Sequence, residues 1–126
     1  MIHIRLSSVL VRDQAQARRF YTEVLGFVVR QDIPMGEYSW LSVGTPSGEV
    51  ELLLEPASTE YAKAYQSALY AAGVPLTMFA SDDIQADYAR LSAQGVVFTG
   101  APQKFGEVTI ATFDDRCGNY IRLFQA

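Results

Sequence analysis

Apolar residues along the chain recur first with a period of two and then with a period of three to four, and this change separates a predicted strand from a predicted helix. Within IHIRLSSVLV, residues 2–11, Val9 and Val11 share one face of an extended chain, which predicts a strand. Asp13 then stands where an N-cap belongs, and Gly26 follows the last apolar position. The apolar positions between them have helical spacing and predict an amphipathic helix: Ala17, Phe20, Tyr21, Val24 and Leu25.

Three further strands are predicted before residue 57, because alternating segments are separated by turns that contain proline and glycine. They occupy residues 27–33, 37–43 and 49–55. A second helix is predicted over 58–72, with Ser58 as its cap and Gly73 at its end. Its predicted packing face consists of Tyr61, Tyr65, Ala68 and Ala72.

The second half of the chain repeats the order of elements predicted for the first half. It contains a strand over 75–80, a helix that begins at Asp82 or Asp83 and ends at Gly95, and three strands over 96–98, 107–113 and 119–125. A constant shift of 69 positions superposes Asp13 on Asp82 and Gly26 on Gly95. The repeat has two copies only, which indicates two similar modules rather than a solenoid.

Two copies of a strand, a helix and three strands predict an α+β fold of two pseudo-symmetric βαβββ modules. Module 1 covers about 1–56, a linker helix covers about 58–72, and module 2 covers about 75–126, within a single domain over 1–126. Because one module alone has too little core, we expect the two to form a curled mixed sheet with helices on its convex side. The concave side then encloses a cavity.

Composition and charge remove several classes of function. The net charge is −4 and Arg18-Arg19 is the only adjacent basic pair, so no basic surface for nucleic acid is predicted. No apolar run approaches the roughly 20 residues that cross a bilayer, and no secretory signal is readable; we expect no membrane partner and a cytoplasmic location. Cys117 is the only cysteine and His3 the only histidine, far apart in the chain, so no catalytic residue is assigned.

Four segments of the chain resemble the vicinal oxygen chelate superfamily, which includes glyoxalase I, extradiol dioxygenases, methylmalonyl-CoA epimerase and the fosfomycin and bleomycin resistance proteins. They are VRDQAQARRFYTEVLGF and ELLLEP in the first half, and ASDDIQADYARLSAQGV and TFDDRCGNYIRLFQ in the second. The resemblance implies the βαβββ architecture. It also implies, for the enzymes of the superfamily, a divalent metal held by residues from the first and last strands of each half.

The positions that match those metal ligands hold unsuitable residues in this chain. They are Leu6, Leu76 and Arg122, with Glu51 as the one possible donor and Leu52 as its alternative in register. A divalent ion needs about three lone-pair donors from the protein, whereas leucine has none and a guanidinium repels a cation. The resemblance therefore implies neither a metal nor another cofactor here.

The same resemblance implies which residues face the cavity. The candidate ligand-binding residues are Ser8, Trp40, Glu51, Met78, Tyr120, Arg122 and Phe124. This mixture of apolar and aromatic side chains with a few polar ones is usual for small-molecule sites, although the aromatic members are also suited to a core or a dimer interface. Glu51 and Arg122 are taken as equivalent positions of the two halves. Three arrangements stay open for them: an ion pair in place of the metal, presentation of Arg122 to a ligand that has an anionic or carbonyl group, or solvation of both side chains.

The sequence therefore favours a metal-independent small-molecule binding protein that sequesters an aromatic or anionic ligand. The resemblance to the bleomycin resistance proteins implies a homodimer as the partner state. Two alternatives stay open, namely a divalent-metal-dependent glyoxalase-like lyase, isomerase or dioxygenase, and a structural dimer without a ligand. Whether the chain catalyses a reaction is not decided at this level.

Overall fold

The computed structural model describes all residues from Met1 to Ala126, and the chain forms two compact units. The N-terminal unit comprises Met1–Lys63 and the C-terminal unit Ala64–Ala126. Each contains one four-stranded sheet with one parallel strand pair among antiparallel ones. The predicted α+β class with two βαβββ modules is confirmed, but two separate four-stranded mixed sheets are present where one curled sheet was predicted.

The N-terminal unit follows the order of one strand, one helix and three strands. Its elements are β1 (Leu6–Val11), α1 (Gln14–Arg19, continued by a π-helical turn at Phe20–Val24), β2 (Val28–Met35), β3 (Tyr38–Gly44) and β4 (Glu51–Pro56). The strands lie in the order β1-β4-β3-β2, and β1 runs parallel to β4.

The C-terminal unit repeats this order. Helix α2 (Glu60–Ala72) leads into it, followed by β5 (Thr77–Ala80), α3 (Ile84–Ala93), β6 (Gln103–Phe105), β7 (Val108–Asp114) and β8 (Tyr120–Gln125). The strands lie in the order β5-β8-β7-β6, and β5 runs parallel to β8. The first and last strands of each unit are therefore neighbours at the same place in both sheets.

Alternation along the strands gives each sheet a buried face and an open face. In β1, Val9 and Val11 are buried, Leu10 between them is partly exposed, and Leu6 and Ser8 before them are exposed. In β8, Ile121 and Leu123 are buried, and the alternate residues Tyr120, Arg122 and Phe124 are partly exposed. Successive side chains of a strand point to opposite faces, so the predicted division of β1 and β8 into two faces agrees with the structure.

The shift between the two units is not constant, because the helix of the N-terminal unit contains one more residue. The N-caps Asp13 and Asp83 are 70 positions apart, and each accepts the backbone N–H three residues further on at 3.1 Å. The glycines that follow the helices, Gly26 and Gly95, are 69 positions apart. The additional residue lies in the π-helical turn Phe20–Val24, the usual form of such an insertion in a helix. Asp83, not Asp82, is the counterpart of Asp13.

The predicted strand over 96–98 is wrong, since Phe98 forms only an isolated bridge with Phe113 and the strand lies at Gln103–Phe105 instead. Alternation did not reveal β6 because all three of its residues are exposed. Its signal is the turn that follows. Gly36 joins β2 to β3 and Gly106 joins β6 to β7, with φ of 75° and 62°, a conformation that glycine adopts at no steric cost.

Helix α2 buries a different face from the one predicted. Tyr61 and Tyr65 are 79% and 55% exposed, while Gln66 is buried. The side-chain amide of Gln66 donates to Cys117 O at 3.2 Å and to Asn119 Oδ1 at 3.0 Å. Hydrogen bonds of a buried amide, rather than the tyrosine stripe, therefore attach this helix to the loop before β8.

No helix of the chain is both long enough and apolar enough to span a bilayer.

Candidate functional site: one cavity on each sheet

The open face of the C-terminal sheet carries a cavity of about 420 Å³. Its lining comes from all four strands of that sheet and consists of Met78, Phe105, Val108, Ile110, Arg122 and Phe124. The volume is within the usual range of small-molecule sites. Three of the predicted binding residues, Met78, Arg122 and Phe124, are brought together here, and Arg122 is the only charged side chain of the lining.

Arg122 is oriented by the neighbouring strand. It lies opposite Thr112 in the β7–β8 pair, and its Nε donates to Thr112 Oγ1 at 3.2 Å. Thr112 is buried and Arg122 is half-buried. The two terminal nitrogens of the guanidinium, which carry four N–H groups, make no hydrogen bond to the protein.

A smaller, more polar cavity of about 230 Å³ also reaches Arg122. It shares Phe105, Ile110 and Arg122 with the first cavity. The residues that it adds come from the segment before β6, from the first residue of β6 and from β7: Thr99, Gly100, Ala101, Gln103, Ala111 and Thr112. The guanidinium therefore borders both an apolar space and a space with hydroxyl and amide groups.

The loop between β7 and β8 determines where β8 begins, through a fully buried carboxylate. Asp115 accepts hydrogen bonds from Cys117 N at 2.8 Å, Asn119 N at 3.0 Å and Asn119 Nδ2 at 2.8 Å. Gly118 follows with φ of 100°. Cys117 is buried in this loop, so its role is structural. These hydrogen bonds fix the start of the strand that carries Arg122.

The N-terminal sheet has a cavity of about 300 Å³ in the corresponding place. Its lining consists of Met35, Tyr38, Ser39, Trp40, Leu53, Leu54, Glu55, Pro56 and Ser58. Met35 pairs with Tyr38 beside the β2–β3 turn as Phe105 pairs with Val108 beside the β6–β7 turn. The predicted binding residue Trp40 therefore belongs to the cavity of the N-terminal sheet.

Strand register identifies the residue of the N-terminal sheet that corresponds to Arg122. Ser42 pairs with Leu53 in one sheet as Thr112 pairs with Arg122 in the other. Leu53 is therefore the counterpart of Arg122. The assumption made from the sequence, that Glu51 is its counterpart, is wrong by two residues, whereas the repeat of 69 positions superposes Leu53 on Arg122 in agreement with the pairing.

The same register shows that the two cavities carry opposite charge. Leu10 pairs with Glu55 in the N-terminal sheet as Ala80 pairs with Phe124 in the C-terminal sheet. Glu55 thus stands where the C-terminal cavity has a phenyl ring, and a leucine stands where that cavity has its arginine. Glu55 was not singled out from the sequence, although alternation along β4 places it on the face of Glu51.

Glu51 is engaged by its strand neighbours. Ser42 Oγ donates to Glu51 Oε1 at 2.6 Å, and Gln31 Nε2 donates to the same oxygen at 2.9 Å. These two hydrogen bonds, that of Ser42 foremost, lower the pKa of the Glu51 carboxyl below its usual value, because they stabilise its charged form. In the β1–β4 pair, Glu51 lies beside Leu6, and Leu52 lies beside Ser7.

The remaining two predicted binding residues do not line these cavities. Ser8 is exposed on β1, opposite Leu53. Tyr120 stacks on Tyr70 with ring centroids 4.6 Å apart and planes 7° from parallel. The Tyr70 hydroxyl donates to Asp114 Oδ2, and this bond raises the pKa of Tyr70, because a phenolate has no proton to donate.

The positions that the family resemblance assigned to metal ligands do not form a ligand set. Leu6 and Leu76 have hydrocarbon side chains, Arg122 is a cation, and the one carboxylate, Glu51, already accepts two hydrogen bonds. No group of three or more His, Cys, Asp or Glu side chains that could hold a metal ion is present. These residues do not fit a divalent cation, which needs about three oxygen, nitrogen or sulfur donors from the protein.

Similarity to known proteins decides the family. Residues 2–123 match the glyoxalase/bleomycin resistance protein/dioxygenase superfamily. The chain belongs to this superfamily. The resemblance found in the sequence is therefore confirmed. The uncharacterized protein YurT of Bacillus subtilis (strain 168) is 48% identical over 124 residues, which are 97% of this chain and 98% of YurT.

Two solved structures are similar to this chain over almost their whole length. UcmS2 has a TM-score of 0.84 at 32% identity and covers 98% of either chain. TnmS3, described as an antibiotic binding protein from Streptomyces sp. CB03234, has a TM-score of 0.76 at 31% identity, over 99% of this chain and 96% of TnmS3. One of these two similar proteins is thus described by what it binds.

Proposed function

We propose that the protein is a metal-independent binder of small molecules, which takes an aromatic ligand with an anionic group into the C-terminal cavity and sequesters it. The observation that carries this proposal is Arg122, a half-buried guanidinium with unpaired terminal nitrogens beside an apolar cavity of about 420 Å³. Thr112 holds its Nε, so the remaining N–H groups have a restricted orientation.

An anionic group matches this arrangement in charge and in shape. The planar fork of a guanidinium forms two parallel hydrogen bonds with a carboxylate. The flanking rings of Phe105 and Phe124 bury apolar ligand surface, which contributes roughly 25 cal/mol per Å² removed from water. The more polar cavity, with Thr99 and Gln103, is suited to the hydrated end of such a ligand.

Similarity to TnmS3 supports binding as the function. That protein is described as binding an antibiotic, and it shares 31% of its residues with this chain over nearly its full length. Sequestration requires affinity only. The residues that catalysis by a metal-dependent relative needs are replaced here by two leucines and an arginine.

The proposal predicts that naphthalene-2-carboxylate raises the melting temperature of the protein in a concentration-dependent way. A ligand at 100 times its dissociation constant stabilises the folded state by about 2.7 kcal/mol. Arg122→Leu should weaken binding about tenfold or more, since it removes hydrogen bonds to a charged group. Arg122→Lys keeps the positive charge but not the planar pair of N–H donors, so its affinity for naphthalene-2-carboxylate should lie between those of the wild type and Arg122→Leu.

Two controls make this experiment specific. Arg19→Leu removes an exposed guanidinium of α1 outside the cavities and should leave the response unchanged. Naphthalene-2-carboxamide, which has the same shape without the charge, should bind more weakly than the carboxylate. Equal responses of the wild type and Arg122→Leu, or of the acid and the amide, would reject the role of Arg122.

We also propose a homodimer as the partner state. Large apolar side chains are exposed on β2 and β6, among them Ile33 at 50%, Met35 at 62% and Phe105 at 70%. Exposed apolar patches of this kind are typical of interaction surfaces, and closed two-fold dimers are the commonest assembly. Sedimentation equilibrium should give twice the 13.9 kDa of the chain. A single species of one chain mass at high micromolar concentration would contradict a stable dimer.

A further inference from the structure

The cavity of the N-terminal sheet has the features of a binding site of its own. Its lining contains one charged residue, Glu55, and no lysine or arginine. The Glu55 carboxylate is exposed and forms no hydrogen bond or ion pair. We propose that this cavity of about 300 Å³ is a second ligand site, which binds a small organic cation such as a quaternary or protonated amine.

Helix α1 satisfies the backbone at the base of this cavity. Gln14 Nε2 donates to Ser39 O and to Leu54 O, both at 2.9 Å, and Gln14 Oε1 accepts from Ser39 N at 3.0 Å. Buried backbone polar groups need such partners. Because one amide side chain supplies all three bonds, the groups left to recognise a ligand are the side chains of the lining.

Those side chains select for positive charge. Trp40 and Tyr38 line the cavity together with Glu55, and the indole N–H of Trp40 has no hydrogen-bond acceptor in the protein. The face of an aromatic ring attracts a cation within about 6 Å, tryptophan most strongly. A carboxylate adds a direct ionic attraction. A neutral ligand of the same shape loses both interactions, and an anion is repelled by Glu55.

The pseudo-symmetry of the two sheets shows that this preference is particular to one cavity. The corresponding positions of the C-terminal cavity hold Ile110 in place of Trp40, Phe124 in place of Glu55 and Arg122 in place of Leu53. The same strand framework therefore presents an acidic aromatic site in one unit and a basic apolar site in the other. This inference does not depend on the proposed function, because it rests only on residues of the N-terminal unit.

The fluorescence of Trp40 provides a local measurement, since it is the only tryptophan of the chain. Titration of the full-length protein with choline should change this fluorescence in a saturable way. Its neutral isostere 3,3-dimethylbutan-1-ol should require at least about tenfold higher concentration, because it has the same shape but offers neither cation–π attraction nor an ionic contact.

Two carboxylate variants test the position of the site. Glu55→Gln should raise the dissociation constant of choline by about tenfold or more, whereas Glu49→Gln, an exposed carboxylate outside the lining, should leave it unchanged. The proposal is overturned by an absence of saturable change with choline, by equal affinity of the isostere, or by equal constants for the wild type and Glu55→Gln.

Cross-titration separates this proposal from the function proposed for the C-terminal cavity. Arg122→Leu should leave the choline titration unchanged, and Glu55→Gln should leave the stabilisation by naphthalene-2-carboxylate unchanged. If the wild type binds choline but is not stabilised by naphthalene-2-carboxylate, only the proposed function is rejected. If the wild type is stabilised by naphthalene-2-carboxylate but does not bind choline, only the cation site is rejected.

Discussion

Phe113→Ala is expected to lower the free energy of unfolding by about 3 to 5 kcal/mol, the range for removal of a fully buried phenyl ring. Phe113 on β7 is 0% exposed, and its ring centroid lies 5.6 Å from that of Phe98. The ring centroid of Phe98 in turn lies 4.8 Å from that of Tyr88 on α3. The substitution leaves a void between the helix and the sheet that close-packed neighbours fill only in part.

Urea unfolding followed by circular dichroism measures this loss, and Tyr61→Ala, which truncates an exposed aromatic ring, is the control. Tyr61 is 79% exposed on α2, so truncation there should cost less than about 1 kcal/mol. A domain of ordinary stability has about 5 to 15 kcal/mol in total, so the core variant should unfold at a much lower urea concentration. Similar losses for both variants would contradict the placement of Phe113 in the core.

Asp115→Ala is expected to cost about 3 kcal/mol or more, because it leaves three donors of a buried loop without their acceptor. The donors are the backbone N–H groups of Cys117 and Asn119 and the side-chain amide of Asn119. A buried donor that loses its partner costs about 1 to 3 kcal/mol. The measurement is again the free energy of unfolding in urea.

Two further variants test whether the hydrogen bonds themselves cause this loss. Asp115→Asn keeps one acceptor oxygen but turns an N–H group towards Asn119 Nδ2, which donates to the second oxygen at 2.8 Å, so its loss should be intermediate. Asp82→Ala, at an exposed carboxylate next to the cap of α3, should change stability by less than about 0.5 kcal/mol. Equal losses for Asp115→Ala and Asp82→Ala would contradict the buried network.

The same loop links stability to binding. Asn119 ends the loop and Tyr120 begins β8, the strand that carries Arg122 two residues later. A variant that loosens the loop should therefore weaken binding in the C-terminal cavity as well as the fold. The cavity of the N-terminal sheet, whose lining contains no residue of β8, should retain its ligand preference as long as its own unit stays folded.

Local patterns in the sequence were sufficient for most elements, and the exceptions have identifiable causes. The cap and glycine of α1 predicted that helix closely, because each signal lies within about ten residues of the structure that it specifies. Alternation predicted a strand over 2–11, of which only Leu6–Val11 forms β1. Strand β6 was missed because it is exposed on every residue. Helix α2 was predicted over 58–72 and spans Glu60–Ala72, with Thr59 rather than Ser58 accepting the N-cap hydrogen bond. The face that carries Tyr61 and Tyr65 is exposed, since a stripe of apolar residues does not show whether another element covers it.

The candidate site was predictable in part. Alternation placed Arg122 and Phe124 on one face of β8, the family resemblance assigned that face to the cavity-facing set, and both residues line the C-terminal cavity. Trp40 was assigned to the same set but lines the cavity of the N-terminal sheet, and Glu55 of that cavity was not predicted at all. Alternation identifies a face of a strand, whereas a cavity depends on which strands lie side by side.

The sequence by itself determined the two-module α+β fold, the superfamily resemblance and the chemical nature of the positions where relatives hold a metal, since the order of elements and the identity of a side chain are local properties. Only the tertiary structure decided which side chains line each cavity, and therefore that the two cavities carry opposite charge. The reason is that register depends on hydrogen bonds between segments distant in the chain. The additional residue in the π-helical turn of α1 further changes the spacing that a constant repeat assumes.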